Sequence, residues 1–237
     1  MSSYKKRFDG RKFDEMRPIK AQVGVIPNAD GSARFSFGNT IAVAAVYGPK
    51  QLHPQHMQIP NKGLLRCNYS MMSFSVTDRI KPGPSRRSQE ISKITEWALS
   101  SIVDLDRFPS AVIDVHIMIE QADASTRCAG INAAVMALVH AGIPMKEMAA
   151  SVSIGKCDET IVVDVSKEEE DYEEGEAATD MPFTVLSNSK KISHIQLDGK
   201  TSIAKFKEAM HTALKATEKI HEIQVKALKN MGDIIEA

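Results

Sequence analysis

No stretch of the sequence is long and apolar enough to cross a bilayer, and the opening residues, MSSYKKRFDGRKFDEMRPIK, lack the apolar segment of a secretory signal. The expectation is a soluble, cytoplasmic protein with no membrane partner. Cysteine is scarce: Cys67, Cys128 and Cys157 stand far apart, and no pair has metal-ligand or redox spacing. That excludes a disulfide scaffold and points to buried free thiols in a reducing compartment. The glycine-rich loops G-x-G-x-x-G and G-x-x-x-x-G-K-[ST] are absent, which argues against dinucleotide-binding and P-loop chemistry. Neither a G-x-S-x-G elbow nor an HExxH pair occurs. His53 and His56 in HPQH could bind a metal, but loop histidines beside prolines are more often structural.

What remains is a chain of 237 residues, 43% hydrophobic, with ample material for one domain spanning 1–237. Its formal net charge is zero, yet residues 1–100 hold 16 Lys and Arg against 7 Asp and Glu. The later part is correspondingly acidic. A basic half suits a polyanion such as nucleic acid, and an acidic half suits a metal site or a solvated face.

The pattern predicts strands first. Ser32 to Phe37 alternates, with Ala33, Phe35 and Phe37 on one face, and Gly38-Asn39 makes a two-residue turn into a strand from Thr40 to Tyr47. Further strands are expected at Leu64–Phe74 and Val112–Ile119, and four more between residues 150 and 197. A helix follows Ser88, taken as its N-cap, with Ile91, Ile94, Ala98, Ile102 and Leu105 as its apolar stripe. A small-residue helix from about Cys128 to Ala141 must pack closely on a sheet or on a symmetry-related helix. The last helix, about Ser202 to Asn230, presents Ile203, Phe206, Met210, Leu214, Ile220, Ile223 and Leu228. Strands then a helix, repeated, indicate an α+β fold with mixed or antiparallel sheets.

Three features could carry chemistry. Arg86-Arg87 stand at a helix start, where free amides and the helix dipole favour an anion and guanidinium groups match phosphate; a solvated basic loop is the alternative. Ser125-Thr126-Arg127 offers hydroxyls, amides and a cation at a second helix start, for phosphate or for plain capping. The acidic run from Glu168 to Glu176 reads as a solvated loop, but Asp180 opens the apolar strand MPFTVL. A carboxylate held there, with a second from the preceding loop, makes a hard oxygen site for Mg²⁺.

These features occur together in RFDGRKFDEMRPI (7–19), GSARFSFGNT (31–40), PSRRSQEI (84–91), QADASTRCAGINAA (121–134), AGIPMKEM (141–148), TDMPF (179–183) and IQLDG (195–199). In these stretches the chain resembles the ribonuclease PH family nearly end to end. HPQHMQIP and RRSQEISKI are more similar to the catalytic subunit of the archaeal exosome than to the bacterial homohexameric enzyme.

The resemblance implies two related βαβα half-domains, about 1–145 and 146–237, with mixed sheets packed on helices. It implies a six-membered ring, a trimer of heterodimers with an inactive sister subunit, capped by RNA-binding proteins. The implied reaction is phosphorolysis: inorganic phosphate attacks the last phosphodiester at the 3′ end of single-stranded RNA and releases a nucleoside diphosphate.

By the same resemblance Thr126 and Arg127, with Ser125 beside them, match the phosphate-binding group. Arg86 and Arg87 match residues gripping the RNA end. Lys62 and Arg66 lie where the family reads RNA in the channel, a lysine standing where one arginine is expected. Asp180 matches the principal catalytic aspartate, which would bind Mg²⁺ (or Mn²⁺) or protonate the leaving ribose oxygen. For the second acid, catalytic and metal-binding, Asp171 is the nearest upstream aspartate and is favoured, while Glu174 fits the family separation better. Two other readings within the resemblance are a homohexamer trimming tRNA 3′ ends and a non-catalytic RNA-binding ring subunit.

Overall fold

Three strands open the chain as an antiparallel meander in the computed structural model, which describes residues 4–172 and 178–236: β1 (Ile19–Val23), β2 (Gly31–Phe37) and β3 (Thr40–Gln51). Phe37 pairs with Thr40, so Gly38-Asn39 is the two-residue hairpin link that the sequence predicts, and Gly38 takes the left-handed φ of 50° that such a turn requires. β4 (Leu64–Met71) leads through α1 (Arg86–Ser100) to β5 (Ala111–Gln121). β5 inserts between β3 and β4, antiparallel to the first and parallel to the second.

α2 (Thr126–His140) carries the chain into a second sheet of β6 (Ala149–Cys157), β7 (Thr160–Val163), β8 (Thr179–Leu186) and β9 (Ile192–Ile195), ordered β7-β6-β8-β9 and wholly antiparallel. A single turn, α3 (Lys167–Glu170), precedes β8. The long α4 (Ile203–Lys229) returns the chain to the first sheet, where β10 (Ile235–Glu236) completes the order β10-β1-β2-β3-β5-β4. The fold is α+β, with one mixed and one antiparallel sheet packed on helices.

α2 is buried on every side from Cys128 to Leu138, because it lies against both sheets. The sequence left a sheet or a neighbouring helix open as its cover, and the sheets provide it. Close approach is bought with glycine: a Cβ on Gly31 would collide with the backbone of Ala137 and Ala141. α4 keeps its expected stripe except at Ile203: Ile220 and Ile223 are buried, and Phe206, Met210, Leu214 and Leu228 pack against the core. Its buried line is Ala209, Ala213, Ala216, Thr217, Ile220, Ile223, Gln224 and Ala227, while Ile203 is 77% exposed. The helix seats its small side chains against the second sheet and leaves several larger ones at the margin. All three cysteines are free and buried, and burial pushes the Cys128 and Cys157 thiols up to about 12. They are inert thiols, as expected.

Candidate active site

Both helix starts singled out in the sequence shift by a few residues. α1 begins at Arg86, so its N-cap is Ser85 and not Ser88. Ser88 is instead the reciprocal partner three residues on: its amide donates to Ser85 Oγ at 3.0 Å, and the Ser85 amide donates to Ser88 Oγ at 2.8 Å. Arg86 and Arg87 therefore sit inside the first turn.

α2 begins at Thr126, and its N-cap Ser125 is left-handed, with φ 54° and no side-chain cap. The Ser125 hydroxyl donates elsewhere, to the Val165 carbonyl at 3.2 Å. A left-handed residue followed by right-handed ones turns successive amides toward one side, a concavity suited to an anion. At the start of a 15-residue helix those amides also carry the positive end of the dipole.

Arg127 follows in the first turn. Its Nη1 donates to Gln196 Oε1, its Nη2 stands 3.7 Å from Glu90 Oε1, and Gln196 Nε2 donates to the same Glu90 oxygen at 3.2 Å. Its Nε is buried with no hydrogen-bond partner. A buried guanidinium donor left unpaired is costly unless a ligand completes it. Burial and the Arg127 charge hold the neighbouring His194 down to about 4, so that imidazole is neutral at physiological pH.

Asp180 stands opposite Gly155 in the β6–β8 ladder, and its amide and carbonyl each pair with Asp198 at 2.9 Å. Its carboxylate accepts from Ser153 Oγ. Burial, with the charges of Glu170 and Asp198, holds its carboxyl above the usual range, and the Ser153 hydroxyl and Arg127 only partly offset this.

One cleft of about 320 Å³ gathers Arg87, Ser125, Thr126, Arg127 and Asp180, together with Glu90, Ser153, Glu170, Gln196 and Asp198. Other expected residues lie outside it. Arg86 is exposed in the first turn of α1, and Lys62 is exposed in the loop before β4. Arg66 forks onto Asp114 at 2.6 and 2.9 Å, and Lys50 reaches the same carboxylate at 2.7 Å. Asp171 faces solvent and pairs with Lys167 Nζ at 2.7 Å, and Glu170 lines the cleft in its place. The residue step is set by α3, whose turn directs neighbouring side chains apart. Glu174 lies outside the described residues.

Sequence reasoning missed five contributors. Glu90 sits one turn beyond Arg86 and Arg87, a helical spacing that could have flagged it. Gln196 and Asp198 alternate within IQLDG, so one face of an extended segment carries both. Ser153 depends on strand register, which has no local sequence signal, whereas the one-turn helix that carries Glu170 is announced by the capping box of Ser166 with Glu169. Among the described residues no three His, Cys, Asp or Glu side chains converge to hold a metal, and no helix is long and apolar enough to cross a membrane.

The chain matches the 3′ exoribonuclease family model in two consecutive parts, domain 1 over residues 15–144 and domain 2 over residues 147–216. The chain belongs to the 3′ exoribonuclease family. Among its relatives in this family is the exosome complex component Rrp41 of Thermococcus kodakarensis, 49% identical over 224 residues that cover 94% of this chain and 88% of the relative. The Archaeoglobus fulgidus component of the same name is 45% identical over 225 residues, covering 94% and 86%. The crystal structure of rice Rrp46 superposes with a TM-score of 0.83 at 25% identity, covering 94% of this chain and 100% of that one. A structure of the Archaeoglobus fulgidus exosome with RNA bound to the active site has a TM-score of 0.79 at 23% identity, covering 92% of each chain, and shares the family fold.

Proposed function

We propose that this chain is the catalytic ring subunit of an exosome and shortens RNA from its 3′ end by phosphorolysis. The observation that carries the reading is the buried, unpartnered Arg127 Nε beside the uncapped start of α2, in one cleft with a carboxyl held above its ordinary range. The relatives with matching sequence are exosome components, and a family of 3′ exoribonucleases supplies the reaction class.

In this reading orthophosphate sits against the Ser125, Thr126 and Arg127 amides and the Arg127 guanidinium. Fixed donors hold it near the terminal phosphodiester, so two anions meet without solvent having to reorganise. A phosphate oxygen attacks the phosphorus, and the bond to the preceding ribose O3′ breaks. A protonated Asp180 gives its proton to that oxygen, which leaves as the new 3′-hydroxyl. The products are a nucleoside diphosphate and an RNA one residue shorter. No water is activated, because phosphate is already an anionic nucleophile.

Arg86 and Arg87 grip the RNA end, and Lys62 and Arg66 contact its backbone further along; such contacts position RNA without reading its sequence. Mg²⁺ (or Mn²⁺) is the alternative use of the same carboxyl: an ionised Asp180 with Glu170 or Asp198 would hold the ion beside the substrate phosphates, Glu170 taking the place given to Asp171, and the leaving oxygen would then draw its proton from solvent. The ion would neutralise phosphate charge when bound. An inactive sister subunit, RNA-binding cap proteins and a cytoplasmic location complete the proposal.

The test uses the assembled ring with a short RNA. Exchanging phosphate for sulfate should stop product release, and Asp180→Ala should be inert in phosphate. Nucleoside monophosphates formed without phosphate would overturn the reading in favour of hydrolysis.

A further inference from the structure

The N-terminal stretch RFDGRKFDEMRPI has no place in the chemistry above, yet it supplies two nearly fully buried arginines, Arg7 and Arg17. Arg17 spans two segments that flank the cleft. Its Nε and Nη2 fork onto Asp164 at 2.8 and 2.6 Å, and its own amide donates to the same carboxylate at 2.8 Å. Its Nη1 donates to the Asp123 carbonyl at 2.5 Å. Asp123 opens the turn into α2, and Asp164 opens the segment that carries Glu170.

Both segments are strained. Ala124, Ser125 and Asp164, none of them glycine, have φ values of 52°, 54° and 56°. Non-glycine residues persist there only where their surroundings over-determine them. Around the turn the determinants are few and specific. Thr40 Oγ1 lies 2.8 and 2.7 Å from the Asp123 and Ala124 carbonyls, which share its single proton, and accepts from the Asp123 amide at 3.0 Å. The Asp123 carboxylate accepts from the Lys167 amide at 3.2 Å and the Ser125 hydroxyl donates to the Val165 carbonyl at 3.2 Å, so two further bonds tie the segments directly.

We infer that Arg17 is a positioning residue: it clamps the 122–127 turn to the Asp164 segment and so holds the left-handed backbone that aims the α2 amides and Arg127 at phosphate. Arg17 touches no substrate. The inference rests on the phosphate reading of that helix start. Loss of the clamp lets Ala124 and Ser125 relax toward ordinary backbone, and the amides then diverge. The expected signature is weaker phosphate binding with RNA binding unchanged.

The experiment measures KM for phosphate, KM for RNA and kcat on the assembled ring, with amide exchange over residues 122–127. Arg17→Gln should raise the phosphate KM by about tenfold or more and leave the RNA KM within about twofold, since small misplacements at a site are amplified. Exchange in 122–127 should quicken while that in α4 stays unchanged. Thr40→Val, which unburdens no buried charge, should act in the same direction and covers the case in which Arg17→Gln does not fold. Adding Ala124→Gly to Arg17→Gln should recover part of the phosphate affinity, because glycine adopts positive φ without strain. A merely structural arginine would not be rescued this way.

Equal changes in both KM values, or an unchanged phosphate KM in both variants, would overturn the inference. If the wild-type ring shows no dependence on phosphate, the functional reading falls separately. Exchange then decides the clamp: faster exchange in 122–127 supports it, and unchanged exchange overturns it.

Discussion

α1 and α2 start with similar residues and end up with different tasks. Each has a serine N-cap and arginine in its first turn, Ser85 before Arg86 and Arg87, Ser125 before Thr126 and Arg127. At α1 the serine backbone is extended and Ser85 and Ser88 satisfy each other's amides. At α2 the serine backbone is left-handed, its hydroxyl is committed to Val165, and Cys128 occupies the position that Ser88 holds in α1. A start that caps itself has few free amides left for a ligand; its Arg86 lies outside the cleft, and only the Arg87 side chain lines it. A start without a side-chain cap, bent by strain and followed by an arginine with an unpaired buried nitrogen, is built to be completed from outside. Arginine near a helix start is therefore a weak signal until the cap is known.

The largest effect should come at the acid beside the uncapped start. Asp180→Asn should lower diphosphate release by about 10²–10⁴-fold, the usual worth of a positioned proton donor. Its stability effect has the opposite sign. Burial first, then nearby carboxylates, raise the folded carboxyl above its unfolded value, so wild type loses stability as pH climbs through that window. In metal-free buffer the variant should melt higher than wild type above the window and alike below it, by calorimetry across pH.

Arg7→Met tests a guanidinium of the paired kind. Arg7 forks onto Glu169 at 2.7 Å, both side chains are 0% exposed, and four backbone carbonyls share its three remaining hydrogens. Stranding Glu169 should cost about 3–5 kcal/mol in denaturant unfolding. Burial pushes the Glu169 carboxyl up, but Arg7, the Ser166 amide and the Tyr4 hydroxyl outweigh it and leave it below the usual range. That contribution is present above the unfolded value and fades as pH falls through the folded one, so the gap between variant and wild type should narrow in acid.

Arg127→Lys should raise the phosphate KM by about 10–100-fold, because lysine keeps the charge but loses the Nε donor and the fork. The smallest effect belongs to the self-capped start. Ser85→Ala should cost about 1 kcal/mol of stability and leave the phosphate KM unchanged. An altered phosphate KM in that variant would erase the distinction between the two helices.

Much of the fold was legible because its signals are local. The Gly38-Asn39 turn, the alternation of Ala33, Phe35 and Phe37, and the small residues of α2 each state a geometry within a few positions. α4 was legible except at its start: Ile203 is exposed, and the small Ala209 and Ala213 lie deeper than the neighbouring Phe206 and Met210, because seating a helix on a sheet rewards small volume. At the site, Asp180 was legible from an acid at the head of an apolar strand. Its acidic neighbours were not, because a single turn at α3 decides that Glu170 and not Asp171 enters the cleft. The Ser153 contact needs the β6–β8 register, and the Arg17 clamp joins residues 147 positions apart.

Isotope-labelled orthophosphate tests the central claim most directly, since a phosphate seated at Arg127 must end in the product. With the assembled ring, labelled phosphate and unlabelled RNA, the label should appear in the β-phosphate of the released nucleoside diphosphate. Release of unlabelled nucleoside monophosphate, with the label left wholly in inorganic phosphate, would contradict the account.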